Sequence, residues 1–310
     1  MTLEQMFRIV FLLSLGFAFN KLKLIPRTAE AVLSRFVTML FLPSLTLYSN
    51  MMECKLDSLA AYSQWVLYGG ALCVISILMS FPIARLFSRK DEYQRGIYRY
   101  ALSIPNTGAV GTPLVLAFFG TSGMFQYGLF QFVCSILTYS WGIMQLQPSH
   151  GRSTFWSNVK KCFNLNFLAM LLGMALGLLG AKNWMPTIVA NTVHELGNCY
   201  VIVALLLTGF SIADYPFSQV FGDIRVYGFS LLRLIVFPLL FLAALLLIKA
   251  PAMVCIMAVL SYASPCGMNV VVYPSSYGED CKAGASMVLV SSLGSVCTVP
   301  LIYALTQSLL

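Results

Sequence analysis

Two asparagines, Asn106 and Asn269, stand in the middle of long apolar segments, each shortly after a proline. A carboxamide donates and accepts hydrogen bonds without carrying charge, so such a pair could hold a polar ligand and still release it. Around them the chain reads Pro105-Asn106-Thr107-Gly108, then Gly111-Thr112-Pro113, and, further on, Ser264-Pro265-Cys266-Gly267-Met268-Asn269. Pro105 has no N–H to give and crowds the turn before it, and Ile104 ahead of it is biased away from helical angles. A half-helix starting after such a break presents unpaired N–H groups and a positive dipole end. Two such ends are expected, near Thr107 to Ala109 and Gly267 to Asn269, and together they suit an anion, most simply a carboxylate. Thr107 adds a hydroxyl, and Gly108 and Gly267 let a backbone approach a ligand closely. The substrate-binding set on this reading is Pro105, Asn106, Thr107, Gly108, Pro265, Cys266, Gly267 and Asn269. The bland alternative is that the asparagines only satisfy carbonyls freed by the breaks, and both roles can coexist.

The elements that must position these residues are membrane spans. The chain has 310 residues, 59% hydrophobic and 10% charged, with a mean hydropathy of +0.82. A soluble domain of that size needs far more polar surface, so the class is an all-α polytopic membrane protein. The net charge of +8 is no argument for nucleic acid, because the basic residues lie between apolar segments, where they set topology and attract anionic headgroups. The N-terminus reads as a retained helix rather than a cleaved leader, since Lys21, Lys23 and Arg27 follow the first apolar run. Nine cysteines show no metal-type spacing and read mostly as small, reduced, apolar residues. No cofactor and no metal is expected.

Ten transmembrane helices are predicted: Met6 to Asn20, Thr28 to Asn50, Trp65 to Ser88, a broken Ile97 to Gly120, Met124 to Gln147, Leu165 to Ala181, Thr187 to Ala213, Ile224 to Lys249, a broken Met253 to Gly278, and Ala283 to Leu310. Pro265 follows Pro105 by 160 residues, and Pro186 follows Pro26 by the same 160. Interrupted hydrophobic segments at matching positions in two halves point to a transporter's binding site. The expected organisation is thus a first five-helix repeat over 1–147, a short cytoplasmic connector over 148–163, and a second, inverted repeat over 164–310. Loops after odd-numbered spans hold 13 lysines and arginines, against 3 after even-numbered ones. The positive-inside rule then puts both termini outside an inner or plasma membrane. Ionisable residues inside spans are functional hypotheses by default, which singles out Arg35, Arg233 and the pair His194–Glu195. Arg35 and Glu195 lie within snorkelling reach of an interface; His194 with Glu195 is a possible proton-responsive spot.

Pro105-Asn106-Thr107 with Gly111, Pro113 and Leu114, then Pro265, Asn269 and Tyr277-Gly278, and Pro300 in the last span, resemble the auxin efflux carrier family. Its members include plant PIN-type auxin exporters and bacterial malonate-type transporters, and the short central loop is similar to the bacterial branch. The resemblance implies a ten-helix inverted repeat in which spans one, two, six and seven form a scaffold, often a homodimer. Spans three to five and eight to ten would form a transport unit, with spans four and nine crossing at their breaks. Tyr200 to Leu205 departs from the family, whose members often carry a proline there, so a straighter seventh helix is expected.

The leading function is secondary transport of a small organic anion by alternating access around that crossing. No GxxxxGK[ST] sequence marks an ATP-driven pump. An intramembrane enzyme would need a catalytic constellation, and the chain has only His150 and His194 and no paired intramembrane aspartates. The remaining rival is an anion channel, or a substrate sensor, on the same fold.

Overall fold

The computed structural model describes residues 3–26, 28–56, 59–148, 163–214 and 223–310. The connector expected at 148–163 falls outside them except at its two ends. All regular elements among the described residues are helices. The first half of the chain holds α1 (Leu3–Lys21), α2 (Thr28–Phe36), α3 (Leu42–Glu53), α4 (Leu59–Phe87), α5 (Glu92–Ser103) and α6 (Thr112–Leu137). The second half holds α7 (Leu165–Leu178), α8 (Thr187–Asp214), α9 (Ile224–Leu231), α10 (Phe237–Leu247), α11 (Ala252–Tyr262), α12 (Asn269–Ser276) and α13 (Lys282–Leu309). Among the described residues five stretches are long and apolar enough to cross a membrane: Thr28–Glu53, Ala61–Phe87, Thr187–Ser211, Ile224–Leu247 and Lys282–Leu309. Shorter apolar helices add to them, at Val10–Lys21, Leu165–Leu178 and Ala252–Tyr262. The protein is a polytopic membrane protein.

Several joints between helices are single π-helical turns, at Val37–Phe41, Thr107–Gly111, Thr138–Gly142 and Leu232–Val236. Three of them end two residues before a proline: Pro43, Pro113 and Pro238. A proline inside a helix cannot donate to the carbonyl four residues back, and its ring collides with that carbonyl. Widening the preceding turn relieves the collision, so these helices continue where a tighter turn would break. Pro105 and Pro265 have no such turn ahead of them, and there the helices stop, α5 at Ser103 and α11 at Tyr262. The expected boundary between the fourth and fifth spans survives as one residue. Gly120 takes φ 61° inside the stretch 112–137, a conformation open to glycine.

The described chain divides into two compact units, each drawing on both halves of the sequence. Unit 1 is Met1–Val66, Gly108–Phe130 and Phe163–Asp214, and unit 2 is Leu67–Thr107, Gln131–Cys162 and Tyr215–Leu310. In unit 1 helices are joined where glycine removes the side chain between two backbones. A Cβ at Gly16 would fall 2.0 Å from the Leu206 carbonyl oxygen, and one at Gly209 would fall 2.0 Å from that of Leu13. The two glycines thus clamp α1 against α8 from both sides, and the Asn20 amide closes the joint by donating to the Phe210 carbonyl at 2.9 Å. Gly173 and Gly177 do the same for α7 against α3, where a Cβ would meet the Leu47 and Asn50 carbonyls at 2.6 and 2.8 Å. In lipid the attraction between helices is van der Waals contact rather than water release, so close backbone approach is what holds them. The helix α8 runs unbroken through Tyr200.

In unit 2, α5 starts at the N-cap Asp91, whose carboxylate accepts from the Gln94 N–H at 3.1 Å. Arg95 and Arg99, counted above as loop residues, belong to α5, and both pair with Glu92. Lys21, Arg85, Arg225 and Lys282, counted with them, also lie in the end turns of helices.

Candidate functional site

Within unit 2 the two breaks meet backbone to backbone. Pro105 and Cys266 form an isolated antiparallel bridge, and the Asn106 N–H donates to the Pro265 carbonyl at 3.1 Å. The local reason is the one read from the prolines: each ends a helix, leaving two or three residues extended enough to pair as strands do. Of the expected set, Pro105, Asn106, Pro265 and Cys266 are therefore brought together, with Gly267 and Asn269 following directly in the chain. Thr107 closes the segment of unit 2, and Gly108 opens a segment of unit 1. There the Gly108 carbonyl accepts from the hydroxyl of Tyr200, which is buried.

A broken helix strands backbone groups that must find partners, at several kcal/mol each in hydrocarbon. Here they find them in side chains. The Leu102 carbonyl accepts from Arg233 Nη1 at 2.6 Å, and the Ser264 carbonyl accepts from Arg233 Nε at 3.3 Å. The Ser103 carbonyl accepts from Ser76 Oγ at 3.2 Å, and the Cys266 N–H donates to Ser291 Oγ at 3.0 Å. Arg233, Ser76 and Ser291 are fully buried. Part of the task of satisfying the freed groups thus falls to these three residues. Asn269 instead donates from Nδ2 to the Tyr100 hydroxyl at 2.7 Å. Tyr100 is itself buried and held beside the turn at Thr138–Gly142, where a Cβ on Gly142 would meet its ring at 2.9 Å. Gln131 adds a buried contact by donating to the Ser261 hydroxyl.

Gly108 and Gly267 differ from the packing glycines. A Cβ at either would meet nothing within 4 Å, and neither takes a positive φ. Neither packing nor backbone conformation demands glycine there, and open space borders both.

The sequence reading named Arg233 only as an ionisable residue inside a span, and it did not name Ser76, Ser291 or Tyr100. Arg233 carried a signal, its charge; the serines carried none, since a lone serine in an apolar helix ordinarily bonds the carbonyl a turn back. The other expected spot lies in unit 1. His194 is half-buried and stacked on Tyr48 with ring centroids 4.4 Å apart, its Nε2 is 3.4 Å from Asn198 Nδ2, and Glu195 is exposed. Arg35 is exposed in the last turn of α2. Among the described residues no group of His, Cys, Asp and Glu could hold a metal ion.

No curated protein matches the chain. A family model described as membrane transport protein matches residues 1–303, nearly the whole length. That family is one of transporters rather than enzymes, and it is the one the proline and asparagine motifs resemble. With nearly its whole length matched, the chain belongs to the membrane transport protein family, that of the auxin efflux carriers.

Proposed function

We propose that the protein is a secondary carrier of a small organic anion, of the malonate-like or auxin-like carboxylate kind, working by alternating access around the crossing. Its full architecture is then ten spans in an inverted five-helix repeat, 1–147 and 164–310 about the connector 148–163. It lies in the plasma or inner membrane with both termini outside, and it pairs as a homodimer through spans one, two, six and seven. Pro105, Asn106, Thr107 and Gly108 with Pro265, Cys266, Gly267 and Asn269 form the substrate site. The observation that carries this reading is the pairing of the two breaks, Pro105 with Cys266 and Asn106 N–H with the Pro265 carbonyl. Irregular backbone at membrane depth is tolerated only where protein or a water-filled cavity satisfies it, and in secondary transporters such breaks mark the substrate. Support comes from the backbone accounting: Arg233, Ser76 and Ser291 serve groups that the breaks set free, and the Asn269 side chain bonds the Tyr100 hydroxyl rather than backbone. Open space beside Gly267 gives a ligand room.

Membrane potential would act on an uncoupled carboxylate with about 2.3 kcal/mol per charge per 100 mV, outward from a cell negative inside. Export or facilitated flux follows unless a proton travels with the anion. Purified protein in liposomes loaded with unlabelled malonate should take up labelled malonate saturably, with counterflow. Non-saturating conductance would instead mark a channel, and binding without flux a sensor. The orientation is tested by single cysteines in a cysteine-free background at Lys90 and Ser122, both exposed. Lys90 should label only from the cytoplasm and Ser122 only from outside; labelling from one side would remove the inverted repeat.

A further inference from the structure

Arg233 sits in the π-helical turn Leu232–Val236 and has no exposed surface. Its guanidinium bridges the C-terminal ends of the two half-helices that meet at the crossing, donating to Leu102 at the end of α5 and to Ser264 just past α11. Both ends carry the negative pole of a helix dipole, where a cation is favoured. Among the described residues no carboxylate pairs with it, and its Nη2 has no hydrogen-bond partner. The titratable groups facing it are Cys266, Tyr262, Cys134 and Tyr100, none of them an ordinary acid. A buried charge is tolerated only when paired, and the pairing here is with helix ends and carbonyl oxygens. In broken-helix carriers, freed carbonyls and half-helix C-termini are the groups that coordinate a coupling metal cation.

We propose that Arg233 is a cation built into the chain that occupies the place of such an ion, so that the crossing assembles and works without bound sodium. The proposal rests on the crossing and not on the substrate's charge, and its test needs no substrate. The melting temperature of purified full-length protein is measured in sodium, potassium and choline chloride at equal ionic strength. The wild type should melt at the same temperature in all three; selective stabilisation by sodium would overturn the proposal whatever any variant does. Arg233→Ala should melt several degrees lower and recover on adding millimolar guanidinium, while urea, its neutral planar counterpart, should give no recovery. Arg233→Lys, which keeps the charge, should retain more stability than Arg233→Gln. Equal recovery by urea and guanidinium, or Arg233→Gln melting as the wild type does, would show that the site needs volume or nothing at all, and would contradict a resident cation.

Discussion

The helix joints of unit 1 and the crossing within unit 2 are each held by a different means. In unit 1, Gly16, Gly209, Gly173 and Gly177 remove side chains so that helix backbones touch. In unit 2, around the crossing, Arg233, Ser76 and Ser291 insert side chains to serve backbone that the prolines have set free. The first device is dispersion, spread over many contacts and tolerant of no intrusion. The second is a handful of directed bonds, each removable by itself. The difference teaches which region is built to keep one geometry and which depends on a few groups that a rearrangement could exchange.

The largest expected effect lies in unit 1. Gly16→Leu or Gly209→Leu drives atoms into a backbone carbonyl that cannot move aside, and overpacking of that kind costs about 3 kcal/mol or more. Either variant should reduce the yield of folded protein in size-exclusion chromatography, and a wild-type yield would show the α1–α8 contact to be loose. Ser291→Ala comes next. It strands the buried Cys266 N–H, at about 1–3 kcal/mol, so it should lower the melting temperature while the protein still inserts. Smaller still is the bond between Asn269 and Tyr100. A double-mutant cycle with Asn269→Ala and Tyr100→Phe should give a coupling of about 0.6 kcal/mol, the average for such bonds in membrane proteins. A coupling of zero would leave Tyr100 outside the site. The smallest effect concerns a reporter, Cys281, between α12 and α13. Burial raises its thiol above the ordinary value, and Asp280 and Glu279 raise it further. Only the thiolate reacts, so maleimide labelling at pH 7 should be slower than for a free thiol and should keep rising with pH after the free thiol has levelled off.

Much of the crossing was legible because proline acts locally. Pro105 and Pro265 end helices whatever surrounds them, and their equal spacing in the two halves announced that the ends matter together. The turns before Pro43, Pro113 and Pro238 follow from the same chemistry but were not read, since a proline in an apolar run leaves a break, a kink and a widened turn all open. Gly173-x-x-x-Gly177 is a helix-packing motif that passed unnoticed, although spacing alone suggests one face. What spacing could not give were partners far apart in sequence. Arg233 and Leu102 are separated by 131 residues, and Asn269 and Tyr100 by 169. A charge inside a span says that a partner must exist; only the fold says that the partners are two carbonyls at a crossing.

The central claim is that Asn106 binds an anionic substrate rather than holding the break together. It is tested most directly by measuring malonate affinity and melting temperature on the same purified variants. Asn106→Ala should weaken binding by about 1–3 kcal/mol with little change in melting, because Pro105, Pro265 and the Asn106 N–H maintain the bridge. Asn106→Asp should bind more weakly than alanine, since a carboxylate repels an anion. Unchanged affinity in both variants, with a lowered melting temperature, would contradict the binding role and return Asn106 to the backbone.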